Sequence, residues 1–164
     1  MTKQRNNQRL AYFSTGSTSA SFTENDDGSI SKKALILVEG DHKDNKGRGH
    51  SFDAEYIITV ANNSTAKFEK GGHIPVLKDH VKTLDSEVGE VGSPFVAKVI
   101  TEEDLPNPRN KHLVGKMGLF CDNMIIRASD VAERVKQGLH KTLSPGVDLL
   151  NKCINEISLT PTPA

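Results

Sequence analysis

A succession of short apolar runs, each ended by glycine, proline or a charged loop, constrains this chain more than any other feature. Ala34-Leu35-Ile36-Leu37-Val38 suits a buried strand, and Glu39–His50, EGDHKDNKGRGH, is a polar loop after it. His73–Leu77 is a short extended piece in which Pro75 excludes a central ladder position. Strands are expected at Glu87–Val91, Phe95–Ile100 and Leu119–Ile126, with the charged loop TEEDLPNPRNKH between the second and third. LSPGVDLLNKCINEISL reads as two further strands joined at Asn151-Lys152, followed by an extended Thr160–Ala164. Only two segments carry helical periodicity. Residues 53–66 place Ala54, Ile57, Ile58, Ala61 and Thr65 on one face behind an Asp53 cap. Residues 130–137 place Val131 and Val135 on one face, with Ser129 as cap and Gly138 as terminator. The sum is a β-rich α+β fold, a small closed or nearly closed antiparallel β-barrel with a few helices around it.

The first 31 residues differ from the rest. They are rich in Ser, Thr, Asn and Gln and poor in aliphatics, so they are expected to form a flexible tail before a domain at 32–164. The whole chain of 164 residues is the usual size of one domain. Lysine plus arginine equal aspartate plus glutamate, 21 to 21, which argues against a dedicated nucleic-acid binder. No apolar run approaches the ~20 residues that span a bilayer, and no apolar segment follows the charged N-terminus as in a secretory signal. Two cysteines are too few for a disulfide framework, so a reducing, intracellular setting is expected. There is no CxxC, HExxH or Walker loop.

Among the six histidines, only His80 stands beside a carboxylate and after an apolar strand-like run, PVLKDH. It is either a general base held at a strand end or an ordinary surface histidine. Ser144 lies in Leu143-Ser144-Pro145-Gly146-Val147, at the start of an apolar strand, where it is a turn serine or a nucleophile. The G-x-S-x-G elbow is absent, because Thr142 occupies the first glycine position. Glu156 falls inside a strand pattern, and faces solvent or is paired inside. A rival reading gathers His42, His50, Asp79 and His80 around a metal, without the tight spacing that marks such sites.

Four segments in unbroken order carry a resemblance. Gly72–His80 looks like the G-x-x-P-V-L-x-x-H segment of the bacteriophage prohead maturation proteases. Glu87-Val88-Gly89-Glu90-Val91 resembles that family's I-G-x-V strand, and VAERVKQGLHKTLSPG its helix with a downstream S-x-G. Asn155–Ala164 is similar to its E-[IV]-S-L-V-x-x-P-A ending, so the likeness spans residues 34–164. It implies the barrel of the herpesvirus maturation proteases, and a serine endopeptidase without metal or cofactor. Its substrates would be scaffold and major capsid proteins inside the assembling procapsid in the host cytoplasm. No nucleic acid or membrane partner is implied, and a homodimer is expected by analogy. Ser144 would be the nucleophile, His80 the general base and Glu156 the third member, where herpesvirus relatives use a second histidine. The sequence stops at Ala164, where the family core stops, as a shortened or self-processed chain would.

Two stereochemical consequences follow. A two-residue turn at Asn151-Lys152 would put Ser144 and Glu156 on opposite faces of the hairpin, whereas a bulge would put them on one; without it, Asp148 or His140 becomes the better third member. Pro145 has no N–H, so an oxyanion donor must come from Gly146, from another loop or from water. Substrates are expected as extended segments along a strand edge, with loop 101–112 as a possible gate. The alternatives are a non-catalytic virion structural or scaffold-binding protein on the same fold, and a metal-dependent hydrolase.

Overall fold

The computed structural model describes residues 10–19, 21–81, 83–105 and 107–160. Expectations for residues 1–9 and for the Pro161–Ala164 ending lie outside them. The apolar runs become β4 (Ile30–Val38), β7 (Pro75–Lys78), β8 (Glu87–Val91), β9 (Phe95–Val99), β10 (Met117–Ile126), β11 (Thr142–Asp148) and β12 (Cys153–Leu159). The polar stretch before them adds β1 (Leu10–Tyr12), β2 (Gly16–Thr18) and β3 (Thr23–Glu24), and the loop after β4 folds into a hairpin of β5 (Gly40–Lys43) and β6 (Gly49–Phe52).

Seven strands close a barrel in the order β4-β2-β11-β12-β7-β8-β10 and back to β4. The strands β1, β3 and β9 extend it from β11, β4 and β10. The expected barrel is therefore present, except that β7 and β12 run parallel. Pro75 is tolerated because it opens its strand: it faces Glu90 on β8, and the ladder to β12 begins at Val76. Strands β8 and β10 meet closely at Gly89, where a Cβ would lie 1.9 Å from the Ile125 carbonyl oxygen. The interior holds Ile36, Val76, Leu119, Met124, Leu143, Val147, Ile154 and Ile157, each at most 1% exposed.

The expected flexible tail does not extend over residues 10–31. Strand β2 fills the gap between β4 and β11, and Ala11 and Phe13 are 1% exposed. A few apolar side chains among polar neighbours are enough here, because partner strands on both sides satisfy the backbone.

Helix α1 (Ala54–Glu69) packs on β9, β10 and β12, and Asp53 caps it by accepting from the Tyr56 N–H at 2.7 Å. Its buried stripe is Ile57, Val60, Ala61 and Ser64, and Ile58 is 40% exposed. The stripe is rotated from the expected face, with Val60 and Ser64 buried and Ile58 turned out. Helix α2 (Ser129–Lys136) has Ala128, not Ser129, at its cap position. It ends as expected at Gly138 (φ 87°), whose N–H donates to the Val135 carbonyl while the Leu139 N–H donates to that of Arg134. The charged 101–112 segment holds two 3₁₀ turns, Glu102–Asp104 and Pro108–Leu113. Among the described residues no helix is long and apolar enough to cross a membrane.

Candidate active site

Strand pairing converts three distant stretches of chain into one cluster. Strands β11 and β12 start in register from the four-residue turn 149–152, with Asp148 opposite Cys153 and Val147 opposite Ile154. Continued, that register would leave Ser144 and Glu156 on opposite faces. A bulge at Asn155 shifts it, so that Gly146 opposes Glu156 and Ser144 opposes Ser158. All four now share the outer face of the barrel wall. Helix α1 secures the irregularity: the Ser64 hydroxyl accepts from the Ile154 N–H at 2.9 Å, and the Asn63 side-chain amide donates to the Asn151 and Lys152 carbonyls.

His80 reaches this face from the end of β7. The Val81 N–H donates to the Lys78 carbonyl at 3.0 Å, closing a turn around Asp79 and His80. Both turn residues are left-handed, at φ 49° and 62°, a conformation that costs a non-glycine residue about 1–2 kcal/mol. The turn is held by hydrogen bonds to β12. The Asp79 N–H donates to the Leu159 carbonyl, and the His80 N–H to the Ser158 hydroxyl at 2.9 Å.

An unbroken line of hydrogen bonds results. The Ser144 hydroxyl donates to His80 Nε2 at 2.8 Å, and His80 Nδ1–H donates to Glu156 Oε1. The Ser158 hydroxyl donates to the other carboxylate oxygen, Oε2, at 2.7 Å. Glu156 and Ser158 are fully buried and Ser144 is 4% exposed, whereas the His80 side chain keeps 21% of its surface open. The ring of Tyr12, on β1, lies 4.0 Å from the imidazole between centroids. Burial, and then the Glu156 charge, push the Tyr12 phenol above its ordinary value, so it stays neutral beside the carboxylate.

Ser144, His80 and Glu156 are thus brought together. Gly146, one of the expected oxyanion sources, lies inside β11 between Tyr12 and Glu156. Strand amides lie in the plane of the sheet, so its N–H is not aimed at the face that carries the Ser144 hydroxyl. What the position requires is room: a Cβ would sit 3.0 Å from Glu156 Oε1 and 3.1 Å from Tyr12 Cε1. Asp148 accepts from the Leu150 and Asn151 N–H groups and shapes the turn. His140 contacts the Thr160 carbonyl and Arg134. Neither replaces Glu156.

Three of the four rival metal residues have other engagements. His42 contacts the Val38 carbonyl, His50 contacts Asp44, and His80 belongs to the line just described. Among the described residues no group of three or more His, Cys, Asp or Glu is placed to hold a metal ion.

Sequence reasoning missed Ser158 and Tyr12. Ser158 was open to inference, because it stands two residues after Glu156 on a strand and so shares its face. Tyr12 carried no such signal. Comparison of the chain with protein-family models, with curated proteins and with solved structures found no match.

Proposed function

We propose that this chain is a serine endopeptidase of the prohead maturation type, cutting scaffold and major capsid proteins in the assembling capsid. The observation that carries the proposal is the line Ser144–His80–Glu156, with the hydroxyl at one ring nitrogen and the carboxylate at the other, as nucleophilic catalysis requires. His80 Nε2 takes the hydroxyl proton as Ser144 Oγ attacks the substrate carbonyl. It returns that proton to the leaving amine, leaving an acyl-serine that water hydrolyses by the same exchange. Glu156 holds the tautomer and stabilises the imidazolium. The substrate class comes from the motif resemblance.

A non-catalytic shell protein would gain nothing from this arrangement. A buried carboxylate and two left-handed non-glycine residues lower stability. Their joint effect is to aim one imidazole at one hydroxyl.

Co-expression with scaffold and capsid proteins tests the reading. The parent is expected to process them, and Ser144→Ala to leave them intact, with a rate at least about 10³-fold lower. A serine-directed fluorophosphonate is expected to label the parent and not the variant. Equal processing by both proteins refutes the proposal.

A further inference from the structure

A cavity of about 730 Å³ reaches β11 at Thr142. Its wall includes Thr142, two residues before Ser144 and on the same outward face of β11, together with Ser14 and Thr15 between β1 and β2. The Phe13 N–H donates to the Pro145 carbonyl at 3.2 Å and Gly16 opposes Leu143, so the Ser14–Thr15 link runs alongside Ser144. A polypeptide with its scissile carbonyl at the Ser144 hydroxyl would therefore lay neighbouring side chains over the cavity. The size falls within the roughly 300–1,000 Å³ of ordinary ligand sites.

The lining has a defined chemistry. Pro108 and Leu113 of the second 3₁₀ turn, with the 47%-exposed Leu139 after α2, supply apolar surface. Arg134 and Lys141 supply two positive charges, and no aspartate or glutamate is among the described lining residues. The Arg134 Nε donates to His140 Nε2 at 3.2 Å, which leaves the ends of the guanidinium clear. Among the described residues neither Arg134 nor Lys141 forms an ion pair. Two unneutralised cations beside apolar walls fit an extended chain that carries a carboxylate among apolar side chains.

We propose that this cavity is the substrate cleft, and that it selects segments of partner proteins with an aspartate or glutamate close to the cleaved bond. The proposal rests on Ser144 acting as a protease nucleophile, and the test separates the two. The parent is given a library of random decapeptides and the cleavage sites are read by mass spectrometry. In parallel, Ser144→Ala protein is panned against displayed random decapeptides. Acidic residues are expected to be enriched about threefold at one position within about four residues of the cut, and enriched among retained peptides. Both enrichments are expected to fall to background in Arg134→Gln/Lys141→Gln, and to turn toward Lys and Arg in Arg134→Glu/Lys141→Glu. Enrichment is a ratio within one protein, so a general loss of activity cancels. Cleavage without acidic preference, or a preference the variants keep, overturns the cleft and leaves the protease reading standing. Acidic peptides retained by Ser144→Ala with no cleavage by the parent overturn the protease reading and the substrate role with it.

Discussion

A serine hydroxyl is a poor nucleophile at neutral pH, so everything around Ser144 turns on where its proton can go. Glu156 bears on that through its contact with His80 Nδ1, which leaves Nε2 facing the Ser144 hydroxyl. Glu156→Gln keeps the volume and can still accept from Ser158, but its amide can donate to Nδ1 and favour the wrong tautomer. The expected result is a fall in kcat of about 10⁴ with KM little changed and the fold intact, read by steady-state kinetics and circular dichroism. Gly146→Ala is predicted to act on the same pair sterically. The added methyl pushes on the Glu156 carboxylate and the Tyr12 ring, so kcat should fall while the unfolding temperature moves little. Ser144 and His80 could be picked out in the sequence by context, and Glu156 by resemblance. The role of Gly146 could not, because it depends on which side chains stand across two strand pairings.

At the level of elements, the bulge at Asn155 is what makes a site out of a hairpin. Alternation along a strand is legible in a sequence, and it correctly posed the question of which face Glu156 occupies. The answer was not legible, since a one-residue slip depends on a partner outside the hairpin. That partner is α1, whose Ser64 accepts from the Ile154 N–H. Ser64→Ala leaves this buried donor unsatisfied, at a cost of about 1–3 kcal/mol. The prediction is that activity falls further than this loss explains, measured at a temperature where the variant is still folded, because the bulge relaxes toward the regular register. The same dependence on partners explains why a polar stretch expected as a tail builds β1, β2 and β3. Their residues have weak strand character, and the edges of β4 and β11 supply the rest.

Across the molecule, charge is distributed so that acid loosens the periphery. Burial raises the Asp104 carboxyl, but the Thr101 amide and the Lys98, Thr101 and Lys33 side chains outweigh this and hold it well below the usual range. A carboxyl lowered by folding stabilises the fold fully above its unfolded value of about 3.9, and loses that contribution as pH falls through the folded one. The unfolding temperature is therefore expected to drop as pH goes from about 5 to 2, and Asp104→Asn to flatten that drop in calorimetric scans. Lys32 works the other way. It is 4% exposed, and burial and then the Lys141 charge pull its amine below the ordinary lysine value. The penalty is full below that lowered value and fades as pH rises from it to the unfolded lysine value of about 10.4, so Lys32→Met should raise the unfolding temperature at pH 7. The closed barrel, finally, has a bearing on when the proposed protease could first act. The strand that shuts the ring between β11 and β7 is also the strand that bears Glu156, and a ribosome makes it after the other eleven. A chain still being translated would thus carry Ser144 and His80 without Glu156, and the proposed triad would form only once synthesis had delivered β12.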